Sequence, residues 1–306
     1  MIPFIGIPFI WVIDRLRLRS ELILTLPKGI AGHFHWGGDP FGITASGASH
    51  LRISEALRVS GRHRLSVMGL DLSQPVVCLH VRDSAYHQRQ NRGYWRETNN
   101  WRNLDAQAFG KAAQWLSEAG FQVVRLGTQT AEPLRAADEK TVFDYAVNGH
   151  RGEDLDVLLA SECSLMISTA SGIDAFSQVF RKPILFVGSV APWNIYVHKP
   201  SLSILQLFRE IDTGRILTLS ESLSLTKISD EKLNEEGLVA VPNSPDEIVD
   251  ATREAVERIG GTWRPTAEDK ELQTRFISLL PSEYRRFPIR GAIGAAFLRS
   301  HEPWLN

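Results

Sequence analysis

Three chemically active side chains follow a short apolar run in the first third of the chain. Residues 76–81 (VVCLHV) show no polar alternation, and His80, Arg82 and Asp83 stand at the end of the run. Such a run predicts a strand that is buried on both faces, as in parallel sheets. Ligands of such sheets bind just beyond the carboxyl ends of the strands. We therefore expect the three side chains to lie at a ligand site.

The three residue types suit a reaction with a phosphate leaving group. A guanidinium binds phosphate oxygens through parallel hydrogen bonds, and it stabilises the charge that develops on them when a bond breaks. Arg82 is therefore the first candidate catalytic residue. His80 and Asp83 are candidates for holding Arg82 in place or for proton transfer. For His80, the alternative is a hydrogen-bonded histidine of the core.

A second apolar run ends in small hydroxyl residues. In residues 165–175 (LMISTASGIDA), a strand is predicted to stop at Ser168 and a helix to begin at Ser171 and Gly172. Backbone N–H groups at a helix N-terminus bind phosphate. Taken alone, this pattern favours a plain helix cap at Ser171. Beside a strand that carries Arg82, the pattern predicts a diphosphate clamp.

Further candidates stand at the ends of neighbouring predicted elements. Gly127 follows a predicted strand over residues 121–126, and Asp144 and Tyr145 end a short strand over residues 141–146. We expect them to line the cleft that binds the donor. The predicted donor- or phosphate-binding residues are Arg82, Gly127, Asp144, Tyr145, Ser168, Thr169, Ser171, Gly172 and Asp174.

Residues 83–103 form a long polar segment with neither a helical nor a strand period. A loop of this length in a compact protein is usually functional or disordered, and its aromatic residues argue against disorder. Aromatic faces with arginines among them suit sugar rings, bases and phosphates. Tyr86, Arg102 and Asn103 are the predicted loop contacts. The alternative is that aromatics such as Trp101 fix the loop to the core.

The order of elements predicts an α/β fold with a doubly wound, Rossmann-like parallel sheet. Ser49 is predicted to cap the first helix and Gly61 to end it. Residues 202–210 and 219–225 show no clear period, and the last third is predicted to be mainly helical. The predicted strands cover residues 76–81, 121–126, 141–146, 164–168 and 183–187, and the predicted helices cover residues 50–60, 106–119, 154–161, 171–180, 246–259 and 267–280.

Three regions are predicted along the chain. They are a reduced N-terminal region (1–70), a donor-binding domain (71–265), and a C-terminal helix and tail (266–306). Residues 1–13 are almost wholly apolar, but a helix needs about 20 residues to cross a bilayer. With the arginines that follow, they predict either a buried first element or a peripheral membrane contact through residues 1–19. No secretory signal is predicted.

Composition excludes several classes of protein. The 34 basic and 35 acidic residues provide no general attraction to nucleic acid, so none is expected as a partner. Cys78 and Cys163 are predicted to be reduced core thiols, which fits the cytoplasm, including the inner face of the membrane. Asp154 and Asp156 have metal-site spacing but fall on a predicted helix, where residues two apart do not face each other. No metal site is predicted.

An ordered set of short motifs runs through residues 80–248. The motifs are HVRDSAY (80–86), WRN (101–103), FDYA (143–146), STASGID (168–174), FRKP (180–183) and NSPDEI (243–248). Over about residues 65–265 the chain resembles a bacterial family assigned as glycosyltransferases and found in surface-polysaccharide gene clusters. H-x-R at a strand end is also similar to the fucosyltransferase-like branch of the GT-B fold. In that branch this arginine contacts the donor diphosphate, and Arg82 is the matching position.

The resemblance implies a GT-B-like, metal-independent glycosyltransferase without a cofactor. Its donor would be a nucleotide sugar, and its acceptor a surface polysaccharide or another glycan, free or lipid-linked. Asp83 stands where the fucosyltransferase pattern has a second arginine, so the resemblance does not extend to GDP-fucose. The N-terminal region is shorter than a full Rossmann half. Two alternatives therefore stay open: a non-catalytic nucleotide- or glycan-binding module, and another transferase or an epimerase on the same scaffold.

Overall fold

The computed structural model describes most of the chain beyond residue 50. The described residues are 49, 51–83, 85, 100–128, 130, 132–134, 142–189, 201–225, 228–285 and 289–306. All of them belong to one compact unit, Trp36–Asn306. The predicted membrane contact of residues 1–19 and the loop residue Tyr86 lie outside the described residues. None of the described helices is long and apolar enough to cross a membrane.

Seven strands form one parallel sheet in the order β3-β2-β1-β4-β5-β6-β9. A separate antiparallel pair, β7 and β8, lies outside this sheet. The strands are β1 Val76–His80, β2 Gln122–Leu126, β3 Val142–Phe143, β4 Leu165–Ser168, β5 Ile184–Ser189, β6 Ser201–Leu205, β7 Leu207–Glu210, β8 Leu238–Val241 and β9 Ala292–Ile293.

Ten α-helices and three 3₁₀ helices are found among the described residues. The α-helices are α1 Glu55–Val67, α2 Gly110–Glu118, α3 Glu153–Glu162, α4 Asp174–Val179, α5 Leu219–Ser224, α6 Asp230–Glu235, α7 Pro245–Ile259, α8 Ala267–Leu279, α9 Ser282–Arg285 and α10 Ala295–Ser300, and the 3₁₀ helices are Asn100–Arg102, Ala106–Phe109 and Glu302–Leu305.

The strand order confirms the predicted doubly wound sheet. The chain runs outward from β1 to β2 and β3, then returns to β4 on the other side of β1 and continues outward to β5 and β6. This reversal is the topological switch point, and crevices at such points bind ligands. His80 at the end of β1 pairs with Leu126 on one side and with Ser168 on the other. The carboxyl ends of β2, β1 and β4 therefore lie side by side.

The central strands are buried along nearly their whole length, as the apolar runs predict. All four residues of β4 and four of the five in β1 are buried, since helices cover both faces of the sheet. Cys78 and Cys163 are buried free thiols in this core, in agreement with the prediction. The core thus fixes the strands whose ends carry the candidate site.

The first helix begins and ends later than predicted. Its N-cap is Ser54, whose hydroxyl accepts a hydrogen bond from the Leu57 N–H at 3.3 Å, and not Ser49. The helix also runs through Gly61 to Val67, so Gly61 does not end it. A Cβ at Gly61 would lie 2.4 Å from Leu158 Cδ2 on α3. The absence of a side chain at Gly61 therefore allows α1 and α3 to pack closely.

The prediction of a mainly helical last third is wrong in part. The segment over residues 202–210 forms the two strands β6 and β7, and two further strands lie at Leu238–Val241 and Ala292–Ile293. Short apolar runs do not separate a buried strand from a buried helix by periodicity. The two long helices predicted after residue 245 are confirmed as α7 and α8. Because β9 joins the main sheet beside β6, residues beyond 265 share the layers of the predicted donor-binding domain.

Gly61→Ala is expected to destabilise the protein although alanine favours helix formation by about 1 kcal/mol over glycine. The added methyl group would overlap the buried Leu158 side chain, and such overpacking typically costs about 1–3 kcal/mol. Urea unfolding followed by circular dichroism measures the difference. Val59→Ala is the control, because Val59 lies in the same helix and is 63% exposed. A Gly61→Ala variant more stable than the wild type would contradict the packing argument.

Candidate anion-binding site

The backbone at Arg82 is tied to the end of the neighbouring strand. Its N–H donates to Thr169 Oγ1 at 2.8 Å, and the Thr169 N–H donates to the His80 carbonyl oxygen at 3.2 Å. These two bonds extend the contact between β1 and β4 beyond the last ladder pair. Arg82 is therefore fixed at the switch point, as the sequence predicts.

The Arg82 side chain is half-buried, and its guanidinium carries one buried donor of particular interest. Its Nη1 atom is buried and has no hydrogen-bond partner within the described part of the chain. Burial, followed by the positive charge of Arg102, lowers the pKa of Arg82 to about 10, and Asp230 acts in the opposite direction. The group is still charged at neutral pH. Since an unpaired buried donor costs about 1–3 kcal/mol, this position suits an anionic ligand.

Arg102 adds a second positive charge beside Arg82. It ends the 3₁₀ helix Asn100–Arg102, and its Nη2 atom donates to the Ala170 carbonyl oxygen at 3.0 Å. Burial lowers its pKa, while the negative charge of Asp174 opposes the change. The structure thus brings the predicted loop contact Arg102 to the segment that follows β4.

A carboxylate from α6 fixes the short helix that carries Arg102. The two oxygens of Asp230 accept the N–H groups of Asn100 and Trp101 at 2.7 and 2.8 Å. The Trp101 ring packs against Phe208 of β7, with ring centroids 6.2 Å apart. For Trp101, the alternative of an aromatic that fixes the loop to the core is therefore confirmed.

His80 is neutral at physiological pH. Burial lowers its pKa to about 4, although the nearby Asp83 opposes the change. Its Nδ1 atom lies 2.9 Å from the Ser171 hydroxyl, with which it shares a hydrogen bond. His80 therefore orients Ser171 and contributes no positive charge to the site.

The helix after β4 starts three residues later than predicted. It begins at Asp174, whose Oδ2 atom accepts the Ser171 N–H at 2.9 Å and the Ser168 hydroxyl at 3.0 Å. Ala170, at a φ of 56°, turns the chain before this point. The Ser171 N–H is consequently occupied, so the predicted clamp of helix N–H groups at Ser171 and Gly172 is not present in that form. Gly172 is exposed.

Asp174 closes this turn from inside the protein. Burial raises its pKa to about 6, and its hydrogen bonds with Ser168, Ser171 and Gln178 oppose the change. Its second oxygen accepts from Gln178 at 3.1 Å. Asp174 therefore shapes the turn, and a direct contact with a phosphate group would require displacement of these donors.

Asp83 and Asp144 converge on one buried arginine, Arg125 of β2. Arg125 Nη1 lies 3.2 Å from Asp144 Oδ2, and Nη2 lies 4.0 Å from Asp83 Oδ2. Asp83 also accepts the Ala85 N–H at 2.9 Å. The two predicted site carboxylates are thus parts of one ionic cluster beside the cationic site.

Three other predicted residues, Tyr145, Gly127 and Asn103, have structural contacts. Tyr145 is fully buried, and its hydroxyl both donates to the Gly152 carbonyl and accepts the Gly152 N–H. Burial raises its pKa to about 12. It therefore fixes the start of α3 and does not line an open cleft.

A Cβ at Gly127 would lie 3.0 Å from Thr130 Cγ2, so glycine permits tight packing there. The amide of Asn103 donates to Asn100 Oδ1 at 3.3 Å.

The two aspartates with metal-site spacing bind different arginines. Asp154 Oδ2 lies 2.5 Å from Arg64 Nη1, and Asp156 pairs with Arg151. Within the described ranges, no three His, Cys, Asp or Glu side chains come together as metal ligands. Metal independence stays a prediction.

A cavity of about 390 Å³ lies beside β7, β8 and α5. Its lining includes Glu210, Asp212, Glu221 and Glu236, and Arg215 pairs with Glu210 and Glu221. This concentration of carboxylates disfavours phosphate. The candidate anion site is therefore the cationic switch point and not this cavity.

Sequence reasoning did not identify two residues of the site, Arg125 and Asp230. Arg125 carried a signal, since a charged residue in an otherwise apolar predicted strand needs a buried partner. For Asp230 the sequence carried no signal. Its role depends on contacts with Trp101 and Asn100, which lie 129 and 130 positions earlier in the chain.

Comparisons with known proteins give matches among solved structures alone. No protein-family model and no curated protein matches the chain. One similar structure is a glycosyl transferase family 9 protein from Veillonella parvula (14% identity, 51% of this chain and 42% of that chain, TM-score 0.35). Another is the E. coli ADP-heptose LPS heptosyltransferase II (16% identity, 61% and 51%, TM-score 0.37). The matched part of the chain spans about half the length of these two proteins.

His80 and Asp174 are expected to give opposite pH dependences of stability. The pKa of His80 falls from 6.5 to about 4 on folding, so the unfolded state binds a proton at a higher pH than the folded state. The free energy of unfolding therefore decreases as the pH falls from 6.5 towards 4. The pKa of Asp174 rises from 3.8 to about 6, so the folded state gains stability as the pH falls from 6 towards 4. In Asp174→Asn the effect of His80 acts alone, and stability should fall more steeply than in the wild type between pH 6.5 and 4.

Thermal unfolding of the wild type and of Asp174→Asn at several pH values between 4 and 7 measures how steeply the stability of each depends on pH. His80→Gln is the matched variant, and its stability should fall less than that of the wild type over the same range. Equal slopes in all three proteins would show that neither group titrates as described.

Proposed function

We propose that the chain is a glycosyltransferase that transfers a sugar from a nucleotide-sugar donor to a glycan acceptor without a metal ion. The observation that carries the proposal is the buried Nη1 atom of Arg82, which has no hydrogen-bond partner among the described residues and lies beside Arg102 at the switch point of the sheet. Two adjacent guanidinium groups match the charge of a nucleoside diphosphate. The ordered motifs that resemble surface-polysaccharide glycosyltransferases support the same conclusion.

In the proposed reaction, the bond between the anomeric carbon and the β-phosphate oxygen breaks as the acceptor oxygen forms its bond to that carbon. The electron pair of the broken bond stays on the β-phosphate. Arg82, with Arg102, would stabilise this charge more strongly in the transition state than in the bound donor. This is the role that a metal ion has in other transferases.

The acceptor hydroxyl must lose a proton in this reaction. His80 is a weak base at neutral pH because burial lowers its pKa to about 4. Asp83, which follows Arg82 directly, is the other candidate for the general base. His80 would position the Ser171 hydroxyl, with which it shares a hydrogen bond.

The resemblance suggests the acceptor, and the reduced cysteines and the apolar start of the chain suggest the cellular location. The proposal includes a surface polysaccharide or another glycan, free or lipid-linked, as the acceptor, and the cytoplasm or the inner face of the membrane as the place of reaction. It also includes a GT-B-like arrangement in which the donor binds to residues 71–265 and the reduced region 1–70 lies on the acceptor side.

UDP, GDP, CDP or CMP is expected to raise the melting temperature of the full chain, and magnesium should not change the shift. A ligand at 100 times its Kd stabilises the folded state by about 2.7 kcal/mol. In Arg82→Ala the shift should vanish, because the ligand loses its charge-assisted bonds. Arg82→Lys should retain part of it, since lysine keeps the charge without the planar donor pair. Differential scanning fluorimetry measures all of these shifts.

Arg52→Ala is the control, because Arg52 is an exposed arginine in the segment before α1. An Arg82→Ala variant that binds the nucleotide as the wild type does would refute the proposal. Slow hydrolysis of the matching nucleotide sugar, detected as released nucleoside diphosphate, separates an enzyme from a binding module. Nucleotide binding without any release would favour the module.

A further inference from the structure

The helix that carries Arg102 is too short to hold its own shape. It contains only Asn100–Arg102, and a 3₁₀ helix of this length provides few internal hydrogen bonds. Arg102 is its last residue and reaches the turn after β4, where its Nη2 atom donates to the Ala170 carbonyl oxygen at 3.0 Å. The place of this guanidinium therefore depends on contacts between the helix and other parts of the chain.

Asp230 supplies the contacts at the start of this helix. Its Oδ2 atom accepts the Asn100 N–H at 2.7 Å, and its Oδ1 atom accepts the Trp101 N–H at 2.8 Å. The first N–H groups of a helix have no partner within the helix, and a carboxylate there gains from charge-assisted bonds and from the positive end of the helix dipole. From α6, Asp230 thus does what an N-cap side chain does within a helix.

Asp230 is itself presented from a firmly held element. It is the first residue of α6 and follows the N-cap Ser229, whose hydroxyl accepts the Lys232 N–H at 3.1 Å. Leu233 of the same helix is buried in the small core beside β7 and β8. The carboxylate therefore starts from a capped and packed helix, which limits how far it can move.

The chain after the short helix connects it to Arg82. The Leu104 N–H donates to the Arg82 carbonyl oxygen at 3.1 Å. Ala170, the acceptor of the Arg102 side chain, directly follows Thr169. Thr169 Oγ1 in turn accepts the Arg82 N–H at 2.8 Å. A movement of the short helix would therefore change the distance between the two guanidinium groups.

Asp230 also acts on Arg82 through its charge, and this effect has the opposite sign for an anionic ligand. Its negative charge raises the pKa of Arg82, and the same charge repels an anion that approaches this guanidinium. If charge alone mattered, loss of the carboxylate would strengthen anion binding. If the position of Arg102 matters more, the same loss weakens it. The opposite signs allow the two effects to be separated by measurement.

We propose that Asp230 is a positioning residue for the anion site: from α6 it holds the helix Asn100–Arg102 so that the charge of Arg102 stays beside Arg82. This inference rests on the proposed function, because it presupposes that Arg82 binds a diphosphate. It assigns to Asp230 no contact with the ligand, and it requires of Arg102 only its charge.

The test uses the full chain and inorganic pyrophosphate, with the affinity measured by isothermal titration calorimetry. Asp230→Ala is expected to weaken pyrophosphate binding by about fivefold or more, although it removes a negative charge, because Arg102 is no longer held in place. Asp230→Asn should weaken binding less, since its amide oxygen can still accept one of the two N–H groups. Glu231→Ala is the matched control: it removes the next carboxylate of α6, which is exposed, and should bind pyrophosphate as the wild type does.

The Arg102→Ala background separates a positioning role from a general structural one. Without the Arg102 side chain its position no longer matters, so adding Asp230→Ala should cause no further loss and a gain of up to about threefold. A general structural role of Asp230 predicts the same fold loss in both backgrounds, and that result would overturn the proposal. Tighter pyrophosphate binding by the Asp230→Ala single variant would also overturn it, because the charge would then outweigh the position.

Far-ultraviolet circular dichroism shows whether each variant folds. If Asp230→Ala does not fold, Asp230→Asn takes its place in the same comparison, and a loss of affinity that persists in the Arg102→Ala background refutes the inference. If the wild type binds neither pyrophosphate nor any nucleoside diphosphate, the proposed function fails, and this inference fails with it. Binding that is lost in Arg82→Ala but unchanged in Asp230→Ala overturns the role of Asp230 alone.

Discussion

The parallel pairing of β1 with β4 is the contact on which the candidate site depends. These strands follow each other in the sheet but not in the chain, since β2 and β3 come between them. Their pairing sets His80 opposite Ser168, and the bond from the Arg82 N–H to Thr169 continues it past the strand ends. A slip of the register by one position would separate Arg82 from the turn after β4. The close packing of both buried faces opposes such a slip, because it would exchange the side chains that each face presents to the helices packed against it.

The site concentrates charge in a place where water is scarce. Arg82 and Arg102 lie close enough that the charge of Arg102 lowers the pKa of Arg82. Like charges are held together here by the fold and not by their own interactions. Such an arrangement costs stability in the free protein, and the proposed anionic ligand would offset that cost on binding. The negative charge of Asp230 near Arg82 and that of Asp174 near Arg102 partly offset this repulsion.

The fold was predictable where the sequence carried a long and regular signal. The apolar runs of β1, β2, β4 and β5, and the helices that start at Pro245 and Ala267, follow directly from period and caps. The starts of α1 and α4 were not predictable, because each depends on a side-chain bond. Ser54 competes with Ser49 as a cap, and Asp174 binds the Ser171 N–H before the helix begins.

The site itself was predictable only in its local parts. Arg82, His80 and Ser171 belong to two short motifs, and the rule that ligands bind at strand ends brings these motifs together. The cluster around Arg125 depends on β2 and β3 lying beside β1, which composition does not specify. The contact from Asp230 depends on the antiparallel pair of β7 and β8 and on α6, which the sequence pattern left unassigned.

The segment from β7 to β8 links the position of Arg102 to a second small core. Phe208, Leu217, Leu233 and Leu238 form this core, and Trp101 packs against it. Asp230 at the start of α6 holds the backbone of the same short helix. Arg82 is fixed by the main sheet, whereas Arg102 is fixed by this separate cluster. The spacing of the two guanidinium groups is therefore set by two packing units, and changes within the smaller unit would alter the anion site without touching the central strands.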